Sequence, residues 1–100
     1  MILVYVTCKN SKEAEKISFY LLKKKLIACA NIFPVESVYL WKGKITKSKE
    51  TVLIAKTINK NLKKAENEIK RMHSYEIPCI LKINAGANKE YLNWIKKEIG

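Results

Sequence analysis

The chain has 100 residues, which is one domain; about two-thirds of the unfolded surface is buried when a chain of this size folds. Hydrophobic residues make up 48%, with only three glycines and two prolines, which excludes disordered, collagen-like and low-complexity classes. The formal net charge is +11, carried by 19 lysines and the lone Arg71 against nine glutamates and no aspartate.

Residues 2–8 form a short apolar, β-prone run that predicts a buried strand. Asn10 with Glu13 three residues later predicts the start of a helix, whose apolar stripe is Ala14, Ile17, Leu21 and Leu22. Residues 26–41 are β-prone and interrupted by Pro34, which predicts a bulge, bend or edge position. Trp41-Lys42-Gly43-Lys44-Ile45 signals a turn, and Thr51 to Ile58 reads as the returning strand. Residues 32–58 therefore predict one long hairpin. Asn59 is placed to cap a second helix carrying Leu62, Ala65, Ile69 and Met72. Pro78 ends that region, and Cys79 to Ile83 predicts a fourth strand. Asn88 is placed to cap a last helix carrying Tyr91, Leu92, Trp94, Ile95 and Ile99.

The order β-α-β-β-α-β-α predicts a single α+β domain over residues 1–100. Its class is the ferredoxin-like split βαβ: an antiparallel sheet with helices on one face, plus a C-terminal helix. Hairpin arms longer than a small sheet can cover leave an open edge, which a symmetric oligomer would close.

The chemistry available is narrow. One histidine and no aspartate exclude a Ser-His-Asp constellation, and the three scattered glycines exclude P-loop and dinucleotide fingerprints. No enzyme is expected. The strand at residues 50–57 has no aromatic residue, so the base-stacking signature of RNA-recognition modules is absent. Lysines in several separate runs read as a solvated surface, and no specific nucleic acid partner is expected. No stretch approaches a membrane span or a signal peptide, and three cysteines without a C-x-x-C favour the cytoplasm over a disulfide framework.

Two segments could carry a ligand. Tyr39-x-Trp41-x-Gly43-Lys44 sets two aromatics on one strand face beside a lysine; it suits a small anionic ligand, and equally sheet packing or a subunit contact. His73-Ser74-Tyr75-Glu76-Ile77-Pro78-Cys79 gathers an imidazole, a carboxylate and a thiol, donors that suit Cu or Zn. A helix-terminal role for His73 and a core role for Cys79 and Cys29 are the plain alternatives.

Taken together, Thr7-Cys8-x-Asn10, Ala28-Cys29-x-Asn31-Ile32, Ser37-Val38-Tyr39-x-Trp41-x-Gly43-Lys44-Ile45, Lys56-Thr57, His73-x-Tyr75-Glu76-x-Pro78 and Tyr91-Leu92-x-Trp94-Ile95 resemble the CutA divalent-cation tolerance proteins over essentially the whole chain. The resemblance implies a cytoplasmic homotrimer related in architecture to the PII signalling proteins. It implies divalent metal binding, copper above all, with no metal required for folding and no chemical reaction. It places Cys29, Tyr39, Trp41, Lys56, His73, Tyr75 and Glu76 around an inter-subunit cleft. His73, Cys29, Glu76 and Cys79 are then the metal-ligand candidates, and Tyr39, Trp41, Lys44, Lys56 and Tyr75 the candidates for a small ligand in a PII-like sensor. A purely structural assembly module is the third reading. Lys9, Ser74 and Cys79 depart from the family pattern, the last exchanging a frequent carboxylate for a thiol.

Overall fold

In a computed structural model describing residues 1–100, seven elements follow in the expected order. They are β1 (Ile2–Cys8), α1 (Ser11–Lys23), β2 (Cys29–Trp41), β3 (Lys44–Thr57), α2 (Asn59–Met72), β4 (Ile80–Asn84) and α3 (Lys89–Ile99). The sheet is antiparallel with strand order β2-β3-β1-β4, the ferredoxin-like arrangement. Strand alternation sends Ile2, Val4, Val6 and Cys8 into the core. There they join Ala14, Ile17 and Leu21 of α1 and Ala65 and Ile69 of α2. Ile95 and Ile99 of α3 are also buried, and Asn61 Nδ2 ties the C-terminal carbonyl of α3 at Ile99 to α2.

The start of α1 is a displaced capping box. The Glu13 amide donates to Asn10 Oδ1 at 2.9 Å, but Glu13 Oε1 accepts from the Lys9 amide at 3.0 Å, one residue before the cap. Leu22 is exposed and does not join the core. It lies 100° around the helix from Leu21, which takes the inward position.

Several boundaries move. Strand β3 starts at Lys44 rather than Thr51, hairpin pairing starts at Cys29 rather than residue 32, and β4 ends at Asn84 rather than Ile83. Two one-residue shifts have visible causes. The hydroxyl of buried Thr57 donates to the Leu26 carbonyl at 2.6 Å, extended geometry continues through Ile58, and Asn59 is the first helical residue, with no side-chain cap. Strand β4 starts at Ile80 because the last β1–β4 pair is Val6 with Ile80. The next carbonyl on β1, Thr7, is taken by the His73 ring, so Cys79 falls outside the ladder.

The hairpin is the dominant feature. Strands of 13 and 14 residues pair from Cys29↔Lys56 to Trp41↔Lys44. Lys42 and Gly43 form the turn with φ of 51° and 77°, the positive values a two-residue hairpin loop demands. Pro34 lies within β2, at the sheet edge, where a missing N–H is tolerated. Only residues 51–57 of β3 pair with β1, so the outer half of the hairpin projects as an arm. Val38, Leu40 and Ile45 on it are 66%, 74% and 80% exposed. The molecule measures 45 × 25 × 20 Å. Its accessible surface is 6836 Å², about 1,000 Å² more than a compact monomer of this mass presents.

Candidate functional site

A cleft of about 780 Å³ opens between the hairpin arm and the segment joining α2 to β4. Tyr39 and Trp41, two residues apart on β2, share one strand face and form the aromatic wall. Lys49 and Glu50 come from β3, Thr7 from the end of β1 and Lys9 from the residue that follows the strand. The opposite wall is irregular backbone presenting Tyr75, Glu76, Ile77 and Cys79.

The walls are joined by a hydrogen bond. The Tyr75 hydroxyl donates to Glu50 Oε2 at 2.5 Å. Burial first, then the bond to Glu50 and that carboxylate's charge, push the Tyr75 phenol well above its ordinary value, so it remains a donor. The Ser48 hydroxyl donates to Tyr39 Oη at 3.3 Å and steadies the aromatic wall.

Behind the cleft lies a group of potential metal donors that the sequence pattern does not single out as a set. Cys8 Sγ, a Glu13 carboxylate oxygen and a His73 ring nitrogen lie within 4.8 Å of one another. Two of the three already hold backbone groups. Glu13 accepts from the Lys9 amide through Oε1 and from the Ser74 amide through Oε2, both at 3.0 Å. His73 Nε2 meets the Thr7 carbonyl at 2.8 Å, and Nδ1 accepts from the Tyr75 amide at 3.0 Å. Burial, reinforced by the charges of Glu13 and Glu50, pushes the Cys8 thiol up to about 12. Without a metal this favours the protonated thiol over the thiolate.

The expected site residues thus divide. Tyr39, Trp41, Tyr75, Glu76 and Cys79 share the cleft. His73 stands behind its wall, with both ring nitrogens bonded to backbone. Cys29 and Lys56 are register partners at the far end of the hairpin from the Trp41–Lys44 pair. Twelve residues of strand, roughly 40 Å, separate Cys29 from Trp41. Lys56 holds its Nζ over the Tyr91 ring at 5.2 Å. Lys44 lies beyond Trp41, outside the cleft lining. Ser48, Lys49 and Glu50 are among the cleft residues that motif reading passes over, and Lys9 stands out there only as a departure from the family pattern. The first three reach the cleft through strand register, and short linear motifs carry no such signal.

Comparison with known proteins agrees with the fold and with the residue pattern. A family model described as CutA1 divalent ion tolerance protein matches residues 2–98. The divalent-cation tolerance protein CutA of Archaeoglobus fulgidus is 43% identical over 98 residues, 96% of this chain and 95% of that one. A solved structure of the periplasmic divalent cation tolerance protein CutA from the same organism superposes with a TM-score of 0.96 at 41% identity, covering 100% of both chains. The PII-like protein CutA from Nostoc superposes with a TM-score of 0.92 at 26% identity, covering 100% of this chain and 98% of that one. The chain belongs to the CutA1 divalent ion tolerance protein family.

Proposed function

We propose that this chain forms a homotrimer through its hairpin arms and binds a divalent cation, copper foremost, in the cleft, serving cation tolerance without turning over a substrate. The observation that carries the reading is that a thiol, Cys79, and a carboxylate, Glu76, line the same aromatic-walled cleft. A thiol favours soft ions such as Cu(I), and a carboxylate can complete or support the site. Of the four expected ligands, the reading keeps these two. His73 would have to surrender a backbone hydrogen bond to coordinate. Cys29 could join only from a neighbouring subunit.

The trimer is supported by the exposed apolar arm on edge strand β2 and by the surface excess. An isolated arm of this kind invites strand pairing, and a closed ring satisfies it. Three free cysteines suit the reducing cytoplasm, where we place the protein. Lys9 and Lys49 beside Tyr39 and Trp41 favour a second reading, a PII-like sensor of a small anion in the same cleft.

Equilibrium competition for Cu(I) and Cu(II) tests the first reading. Cys79→Ser is expected to weaken binding at least tenfold and Glu76→Gln less. Unchanged affinity in both variants would remove the cleft as the cation site. Light scattering gives the assembled mass, and a monomer would end the trimer proposal. Quenching of Trp41 by small anions without any effect of metal would favour the sensor.

A further inference from the structure

The cleft wall between α2 and β4 has no regular secondary structure, so side chains must define its shape. Two of its amides are held from behind. The Ser74 amide donates to Glu13 Oε2, and the Tyr75 amide donates to His73 Nδ1, each at 3.0 Å. Both anchors are themselves fixed to the end of β1. Glu13 Oε1 accepts from the Lys9 amide, and His73 Nε2 lies 2.8 Å from the Thr7 carbonyl. Each anchor is only 9% exposed, and neither lines the cleft.

The chemistry of these contacts is restrictive. An amide N–H aimed at Nδ1 requires a lone pair there, so the proton of the neutral ring sits on Nε2 and is donated to Thr7. The other tautomer would set N–H against N–H at Tyr75 and a lone pair against a carbonyl at Thr7. A carboxylate has no proton and accepts from Lys9 and Ser74 at once; a carboxamide in the same orientation could accept from only one.

We propose that Glu13 and His73 are a positioning pair: they set where Tyr75, Glu76 and Cys79 stand in the cleft and touch no bound ion themselves. The link to ion affinity rests on the cation reading given above. The positioning itself belongs to the metal-free protein. His73 is then the residue that orients the donors rather than one of them, although its imidazole is the side chain a sequence reader would first assign to the metal.

Nitrogen-15 NMR of the metal-free protein at neutral pH is expected to show the Nε2–H tautomer of His73. The Nδ1–H tautomer would overturn the proposal. Amide hydrogen exchange in Glu13→Ala should accelerate at Ser74 and Tyr75 at least tenfold more than at Leu81 and Ile83 of β4. If Glu13→Ala does not fold, Glu13→Gln replaces it, and acceleration is then expected at whichever of the Lys9 and Ser74 amides loses its acceptor. His73→Ala should release the Tyr75 amide. His73→Asn, whose Oδ1 can occupy the place of Nδ1, should restore its protection. Uniform acceleration along the chain, no acceleration, or no rescue by asparagine would overturn the proposal.

With Cu(I) added, Glu13→Ala should bind at least tenfold more weakly although Cys79 and Glu76 are intact, and His73→Asn within threefold of wild type. The His73 nitrogen signals should not shift by more than nearby backbone signals. A direct coordination shift at either ring nitrogen would overturn the positioning role. If the wild-type protein binds no copper, the cation reading fails, while exchange and tautomer still decide the positioning pair.

Discussion

Glu13→Gln is the substitution whose cost the structure specifies best. The carboxylate is 9% exposed and accepts two backbone hydrogen bonds at 3.0 Å, one from its own helix entry and one from the cleft wall. A hydrogen bond to a charged group contributes about 1.5–3 kcal/mol net. Glutamine can keep one of the two and turns an NH₂ group toward the other donor. The expected loss is about 2 kcal/mol at pH 7, or roughly 8–16 °C in Tm for a chain of this length.

The loss should depend on pH in a defined direction. Burial opposes the charge on Glu13, but hydrogen bonds from the Ser74 hydroxyl and from the Lys9 and Ser74 amides outweigh it and hold the carboxyl below its ordinary value. The folded state therefore binds this proton more weakly than the unfolded state. The stabilisation is fully present above the unfolded value of about 4.3 and is lost as pH falls through the lower folded value. The gap between wild type and Glu13→Gln should be full near pH 7 and should close as the wild-type carboxyl protonates below about pH 4. Urea unfolding followed by circular dichroism at fixed protein concentration, from pH 7 to pH 3, measures it. A gap that stays constant across that range would refute the electrostatic argument and assign the loss to packing.

Substitutions at two further sites probe the junctions around the core. Thr57→Val removes the 2.6 Å bond that satisfies the Leu26 carbonyl, and Thr57 is fully buried. A loss of about 1–3 kcal/mol is expected. Thr57→Ser, which keeps the bond, should lose less, and equal urea midpoints for the two variants would contradict the assignment. Lys25 ends α1 at φ 55°, with the Leu26 amide reaching back to the Leu21 carbonyl. That is the glycine position of a Schellman motif, so Lys25→Gly should stabilise the protein by about 0.5–1 kcal/mol, read as a rise in Tm.

The architecture was legible because each element carries its own period and punctuation. The short apolar run of β1 and the Asn10–Glu13 pair are local signals, and both appear in the structure. Boundaries shifted where a non-local bond intervened: His73 takes the Thr7 carbonyl and ends the β1–β4 ladder before Cys79. The cleft was legible in part for the same reason. Tyr39 and Trp41 follow from strand alternation, and Tyr75, Glu76 and Cys79 from their shared segment. Glu50 depends on the tertiary bond from Tyr75, and Lys49 on the register of β3 against β2. Cys29 and Lys56 pair with each other at the wrong end of a hairpin whose length keeps them from the cleft within one chain, a separation that only the register reveals. For His73 the residue type suggested a ligand, and only the geometry reveals that its lone pair is occupied.

The Glu13 bridge also bears on how the chain reaches this fold. Its bond to Lys9 spans four residues, whereas its bond to Ser74 spans 61, and the His73 contact with Thr7 spans 66. The first turn of α1 can therefore form early from local contacts. The cleft wall can set only after the chain has closed those long loops, a step whose entropic cost slows non-local structure. The proposed cation site would then be among the last parts of the molecule to become native, and a nascent chain would not present it until Cys79 had been placed.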